Sequence, residues 1–456
     1  MSNLTSFQRK LVYIGGIVLL LVPITWLGMP AEPARSGGFQ GSAGGLLAQS
    51  RDKYKYGEHD LGNVDPASST MNLLLLGFRG FATSKLWTTA IAQQRNKDWA
   101  GLRATTESII LLQPHFLKVW HFEGWNLAYN VSAEWDGVAD RYYWVKEGIK
   151  FFKKGRDRNE QYAELAWYVG DTTGKKIGRS DEATFFRKFY RSDPDTPRFN
   201  GGPDKDVNPG SRDNYQEAAD WFQLGNDTIV KWGNEQHIMA PYLFRAFPQR
   251  AIIDQAMAMQ REGDFGEVCR NVWQDAFLGW TEKYGKLPLD CPELGEAVTL
   301  EHTPEEMAAM RKKENEEKKD DWHRMTEWIR KYREQANYNY WRTRASSESE
   351  KDMSESHRLL YDAEQALFKA DPTTALKLYQ EGMAKFESVL DRFPDLKDED
   401  ETADEAISAV MGWQKALEYL DEPAPDNFPL KSIWDDKPGR RQNVKSDFER
   451  RRRGGS

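Results

Sequence analysis

The pattern of apolar and polar residues divides the chain into an apolar N-terminal run and a long body with helical periodicity. Residues 11–28 carry no charge and are mostly apolar, whereas from residue 71 onward apolar side chains recur three and four positions apart. The body shows no sustained alternation of apolar and polar residues, which would indicate half-buried strands. The pattern therefore predicts an all-α fold with one N-terminal transmembrane helix.

Three helical hairpins are predicted over residues 78–195, because helix-length segments alternate there with Gly, Pro and Asn breakers. In the second hairpin Trp120 and Gly124 share one face, and the returning helix offers Tyr142. Each hairpin exposes an apolar face that only a neighbouring hairpin can cover. We therefore expect an α-α hairpin solenoid of tetratricopeptide-like type, with a repeat of about 40 residues against the usual 34.

Local signals mark further boundaries along the body. Thr303 and Glu306 form a capping box that predicts a helix start, and the pair Asp371 and Pro372 predicts another. Residues 196–214 form a loop rich in Pro, Gly and Asp. The acidic residues there lack the spacing of a calcium-binding loop, so we expect the loop to be solvated.

These signals together predict eight segments. In chain order they are a cytoplasmic N-terminus (1–10), a transmembrane anchor (11–29), a flexible spacer (30–66), tetratricopeptide-like helical repeats (67–195), a loop (196–214), a helical region (215–300), a helical region with a further tetratricopeptide-like hairpin (301–420) and a disordered basic tail (421–456). The spacer is assigned from its Gly, Ala, Ser and Pro content, and the tail from its exposed charge and scattered Pro.

The charges beside the apolar run predict its orientation in a membrane. Arg9 and Lys10 lie directly before it, and the first basic residue after it is Arg35. The positive-inside rule then places the N-terminus in the cytoplasm and the body on the extracytoplasmic side. A cleaved signal peptide is the alternative, but Pro30 and Pro33 crowd the region where small residues should precede a cleavage site. We expect an uncleaved, single-pass anchor.

Composition narrows the classes of function. With 71 acidic and 63 basic residues, the net charge of -8 gives no general electrostatic footprint for nucleic acid. The 17 tryptophans suit the contact faces of packed helices, so we expect most of them in the core. Cys269 and Cys291 are the two cysteines of the chain. One disulfide between them is compatible with an exported body, and two separately buried thiols are the alternative.

Motifs for chemistry are absent from the sequence. The seven histidines include no pair four positions apart, so no zinc-type pair occurs on a helix. Nucleotide-binding, hydrolase-elbow and dithiol motifs are missing as well. The sequence therefore predicts a protein that is not an enzyme and that has no catalytic, cofactor-binding or metal site.

Aromatic residues of the second and third hairpins are the candidate interaction face. They are Trp120, Trp125, Tyr129, Tyr142 and Tyr162. On the concave side of a helical stack such side chains would contact a protein or peptide.

Three blocks carry a family resemblance: LLGFRGFATSKLWTTA at 75–90, LQPHFLKVWHFEGWNLAYNVS at 112–132 and WVKEGI at 144–149. In these blocks the chain resembles membrane-anchored, tetratricopeptide-like proteins of planctomycete-type bacteria, whose function is largely unassigned. The resemblance covers most of the chain. It implies a helical-repeat architecture and a location in the cell envelope, and it implies no activity.

Two hypotheses of function follow. The first is a membrane-tethered helical-repeat scaffold that mediates protein–protein interaction in the cell envelope, with an unknown protein or peptide as partner. The second is an envelope enzyme or small-ligand binder that uses a pocket between helices. A pocket of converging titratable groups would favour the second hypothesis.

Overall fold

The computed structural model describes residues 79–452 apart from 293, 318 and 319, together with a few single positions before residue 79. The predicted anchor at 11–29 and spacer at 30–66 therefore lie almost entirely outside the described residues. Among the helices of the described part, none is both long enough and apolar enough to cross a membrane. The predicted all-α class is confirmed for the body, which is helical apart from one short hairpin of strands.

The described helices follow one another with short connections. The first nine are α1 (Arg79–Arg95), α2 (Trp99–Leu112), α3 (Leu117–Trp125), α4 (Val138–Arg158), α5 (Ala163–Asp171), α6 (Ala183–Arg191), α7 (Thr196–Phe199), α8 (Asn214–Trp232) and α9 (Pro241–Arg261). The others are α10 (Glu267–Leu278), α11 (Pro304–Glu317), α12 (Asp320–Gln335), α13 (Tyr338–Glu348), α14 (Lys351–Phe368), α15 (Pro372–Arg392), α16 (Asp400–Tyr419), α17 (Lys431–Asp436) and α18 (Arg441–Arg452).

Three helices run on into π-helical turns, which are rare and frequently occur at functional sites. These turns are Asn126–Val131 after α3, Thr172–Lys176 after α5 and Gly279–Gly285 after α10. Strands β1 (Leu289–Cys291) and β2 (Glu296–Val298) pair antiparallel, with Leu289 opposite Val298. Short 3₁₀ turns occupy Pro394–Asp398 and Pro438–Arg440.

The chain divides into two compact units, one of Met1–Val119 with Lys154–Gln161 and one of Trp120–Lys153 with Tyr162–Ser456. In the described part of the smaller unit, α1 and α2 pack together, and Asp98 caps α2 by accepting a hydrogen bond from the Gly101 amide at 3.0 Å. The buried Asn159 amide donates to the Pro114 carbonyl at 3.2 Å, which fixes the connection after α2.

The helix starts predicted from capping residues are confirmed. The Thr303 amide donates to Glu306 Oε2 at 2.8 Å, and the Glu306 amide donates to Thr303 Oγ1 at 3.2 Å. This reciprocal pair satisfies two amides that no helical carbonyl reaches. Asp371 likewise accepts from the Thr374 amide at 3.1 Å and begins α15, which packs against α14 as the predicted hairpin. A regular repeat along the whole body stays a prediction.

The core of the larger unit confirms the expected role of the tryptophans. The largest fully buried side chains include Trp120, Trp273, Trp280 and Trp413. Cys269 and Cys291 lie in the same core as Trp273 and are free thiols, so the disulfide between them is not formed. Burial raises the pKa of Cys269 to about 12, which keeps its thiol protonated and unreactive at neutral pH.

The predicted disordered tail is wrong over most of its length. Helices α17 and α18 lie within residues 421–456, and their side chains Ile433, Val444 and Phe448 are buried. Arg440 holds the end of the chain to α16 by donating from Nε and Nη2 to the two carboxylate oxygens of Asp404, both at 2.7 Å. The apolar residues were too widely spaced for the sequence pattern to reveal this packing.

Gly148 marks the closest approach between α4 and the segment that begins at α3. A Cβ atom at Gly148 would lie 2.8 Å from both the Ala128 Cβ and the Gly124 carbonyl oxygen. Because backbone atoms cannot move aside as a flexible side chain can, we expect Gly148→Ala to lower the free energy of unfolding by about 1–3 kcal/mol. Urea unfolding of the full chain in detergent measures this change. Gly80→Ala, with no neighbour within 4 Å, is the control and should stay close to wild type.

Candidate interaction surface

The five residues of the predicted interaction face do not lie together on a surface. Trp120 and Tyr142 have no exposed area and belong to the core, so they stabilise the fold and cannot contact a partner. Tyr129 and Tyr162 are half-buried, whereas Trp125 is 42% exposed. The accessible part of the predicted face is therefore centred on Trp125.

Trp125 and Tyr129 form a stacked pair at the junction of α3 and its π-helical turn. Their ring centroids are 3.8 Å apart and their planes differ by 13°. On the other side, the Lys176 ammonium lies 5.1 Å from the centroid of the Tyr129 ring. Lys176 ends the π-helical turn Thr172–Lys176, so the two π-helical turns meet at this stack. Burial lowers the pKa of Lys176, and burial also raises the pKa of Tyr129.

A second group of exposed aromatic residues lies further along the same segment. Trp135 and Tyr143 are each 44% exposed, and Trp144 is half-buried between them. The Trp144 ring centroid lies 6.3 Å from that of Trp135 and 5.3 Å from that of Tyr143. Sequence reasoning missed this group because it assigned the helix by its buried side. Tyr143 and Trp144 follow the buried Tyr142 directly and so point away from that side. We name Trp125, Tyr129, Trp135, Tyr143 and Trp144 the aromatic surface.

Arg141 positions the start of α4 and the loop before it. Its Nε donates to the Trp135 carbonyl at 2.6 Å, and its guanidinium forms an ion pair with Glu182. Burial raises the pKa of Glu182, but the hydrogen bond from Arg141 and nearby positive charge outweigh it, so the net pKa is lowered. Trp135 is therefore held in place by a charged pair at neutral pH.

The buried side of α4 supports the surface from beneath. Tyr142, Val145 and Ile149 have no exposed area and pack in one apolar cluster with residues of α5 and α6. Opposite faces of α4 thus do different work, because residues three and four positions apart share one side. A helix anchored in this way displays Tyr143 and Trp144 with little loss of side-chain freedom on binding.

A buried lysine fixes α4 to the loop that follows α6. Lys146 Nζ forms ion pairs with Asp193 and, at 3.3 Å, with Asp204 Oδ2. Lys150 Nζ lies 2.8 Å from the same Asp204 oxygen. Burial raises the pKa of Asp204, but the two lysines outweigh it and the net pKa is lowered. The prediction that the acidic residues of this loop are solvated is wrong for Asp193 and Asp204, which are both buried.

No known protein family matches this chain, and no curated protein matches it either. The resemblance to membrane-anchored, tetratricopeptide-like proteins therefore stays a prediction. Over residues 79–452, with their three gaps, no group of three or more His, Cys, Asp or Glu side chains is placed to hold a metal ion. The features on which a functional proposal can rest are the aromatic surface and the charged pairs that support it.

Proposed function

We propose that the protein is a membrane-tethered helical scaffold that mediates protein–protein interaction in the cell envelope. In this proposal the apolar run at 11–29 anchors the chain with its N-terminus in the cytoplasm, and the helical body binds a protein or peptide on the extracytoplasmic side. The aromatic surface is the binding site. The proposal includes no catalytic step.

The observation that carries the proposal is the exposure of tryptophan and tyrosine on a rigid support. Trp125, Trp135 and Tyr143 each expose more than two fifths of their side chains while α4 is buried and paired beneath them. Aromatic side chains and arginine are the residues most often found at the energetic centres of protein interfaces. Arg141 lies directly beside Trp135.

Crosslinking in intact cells followed by mass spectrometry tests the proposal, with the full-length protein as bait. We expect wild type to capture one or a few envelope proteins. The double variant Trp135→Ser, Tyr143→Ser should capture about tenfold less, because hot-spot aromatics contribute roughly 2 kcal/mol or more each. Its matched control is Phe368→Ser, Tyr419→Ser, which removes two aromatics of similar exposure, 42% and 48%, from other helices.

A further inference from the structure

A cavity of about 210 Å³ lies between α8, α9 and the π-helical turn that follows α5. Its lining combines three cations with aromatic rings. Lys175 and Arg179 reach it from the π-helical turn and the helical turn after it, and Arg250 reaches it from α9. Phe222 and Phe247 form an apolar wall. Ligands of ordinary drug size need roughly 300–1,000 Å³, so this cavity suits a smaller molecule.

Positive charge exceeds negative charge in the lining. Asp254 is the carboxylate that lines the cavity, and it is shared by two guanidinium groups: it forms an ion pair with Arg179, and its Oδ1 lies 3.2 Å from Arg250 Nε. Lys175 is paired at 2.7 Å with Asp171, outside the lining. Two carboxylates thus face three cations, which leaves one positive charge in excess at the cavity.

Arg250 is the cation most removed from water. Its guanidinium lies 3.3 Å from the centroid of the buried Trp341 ring, and its pKa is lowered by burial despite the presence of Asp254. A buried cation of this kind gains from a further hydrogen-bonded anion, because opposite charge offsets the loss of hydration. The guanidinium fork also matches the geometry of carboxylate and phosphate oxygens.

The π-helical turn is held rigidly at the mouth of the cavity. Asn214 Nδ2 donates to the carbonyls of Thr173 and Gly174, at 2.9 and 3.3 Å, which the irregular turn leaves without helical partners. The Lys175 ammonium lies 5.2 Å from the Phe247 ring, so the charged end and the apolar wall of the cavity adjoin. An acid group and an apolar group of one ligand would therefore both be matched.

We propose that this cavity binds a small organic acid, a carboxylate or phosphate monoester, whose charged group contacts Lys175, Arg179 and Arg250 and whose apolar part lies against Phe222 and Phe247. This site is separate from the aromatic surface and does not rest on the scaffold function. A small acid carried by the body could come from the cell or from an acidic terminus of a bound peptide, and both share the same charged group.

Isothermal titration of the full-length protein in detergent tests the site with four probes: phenyl phosphate, benzoate, inorganic phosphate and benzyl alcohol. We expect the two aromatic acids to bind, with inorganic phosphate and the neutral alcohol each at least about tenfold weaker. Lys175→Met should weaken the binding of phenyl phosphate by about tenfold. Lys231→Met is the matched control, because Lys231 is also exposed and also lies over an aromatic ring, that of Trp232 at 5.0 Å.

Arg179→Gln is the second variant, and it should weaken phenyl phosphate binding as Lys175→Met does. The proposal is overturned if no aromatic acid binds at millimolar concentration, or if both variants bind phenyl phosphate like the Lys231→Met control. Equal affinity for benzyl alcohol and phenyl phosphate overturns the role of charge. Equal affinity for inorganic phosphate and phenyl phosphate overturns the assignment to an organic acid.

Discussion

Replacing Lys146 by methionine is expected to lower the free energy of unfolding by about 3–5 kcal/mol, the usual cost of removing one partner of a buried ion pair. The Lys146 side chain is only 4% exposed, and it lies between the carboxylates of Asp193 and Asp204. Lys150 would still reach Asp204, but Asp193 would lose its ammonium partner in a buried position. Chemical denaturation of the full chain in detergent measures the change.

Two further variants separate charge loss from loss of packing. Lys154→Met removes an exposed lysine from the same helix and should stay within about 0.5 kcal/mol of wild type. Adding Asp193→Asn to Lys146→Met removes the uncompensated negative charge, so the double variant should recover part of the loss. Equal stability of Lys146→Met and Lys154→Met would show that the buried pair contributes nothing to the fold.

Glu348→Gln is expected to have a similar effect, about 3–5 kcal/mol near neutral pH, because it breaks a second buried network. Glu348 Oε1 lies 3.0 Å from Arg344 Nε and 3.1 Å from His357 Nε2, and Gln260 donates to Oε2 at 2.8 Å. Arg344 also pairs with Glu405 at 2.8 Å. Glutamine keeps the size of the side chain, so the loss measures charge.

The same variant should change how stability depends on pH. Burial opposes the charge of His357, but Glu348 outweighs it, so the net pKa of His357 is raised from 6.5. A raised folded-state pKa stabilises the fold fully below 6.5, and that stabilisation is lost as pH rises through the folded-state value. The loss should be present in wild type and absent in Glu348→Gln. The same slope in both proteins between pH 6 and 9 would contradict the assignment.

Acid should weaken the network from the other side. Burial alone would raise the pKa of Glu348, but His357 and Arg344 outweigh it and lower the pKa to about 2. Stability from a depressed carboxyl pKa is present above the ordinary 4.5 and is lost as pH falls toward 2. The network therefore stabilises the fold most between these two ranges, at mildly acidic to neutral pH.

Local features of the fold were predictable from the sequence, and long-range pairs were not. The capping residues Thr303 and Asp371 act on amides three positions away, so their effect is written in neighbouring residues. Lys146 instead meets Asp193 and Asp204, 47 and 58 positions away. Lysine at such a position in a helix reads as a solvated charge until the tertiary structure brings its partners to it.

The candidate surface was only half predictable for a related reason. Helical periodicity places Tyr142 and Tyr143 about 100° apart, so at most one of two adjacent tyrosines can share the buried side. The sequence could not show which of them did, and the interaction face was assigned to Tyr142, which is buried. The π-helical turns that carry Tyr129 and Lys176 have no sequence signature of their own.

The most direct test of the scaffold proposal is the ratio of partner captured by the variant Trp135→Ser, Tyr143→Ser to that captured by the control Phe368→Ser, Tyr419→Ser. Both variants are first shown to be as stable as wild type and equally abundant in the membrane fraction. The proposal predicts a ratio of about one tenth. A ratio near one would contradict the aromatic surface as the binding site, and the absence of any specific partner for wild type would contradict the scaffold function itself.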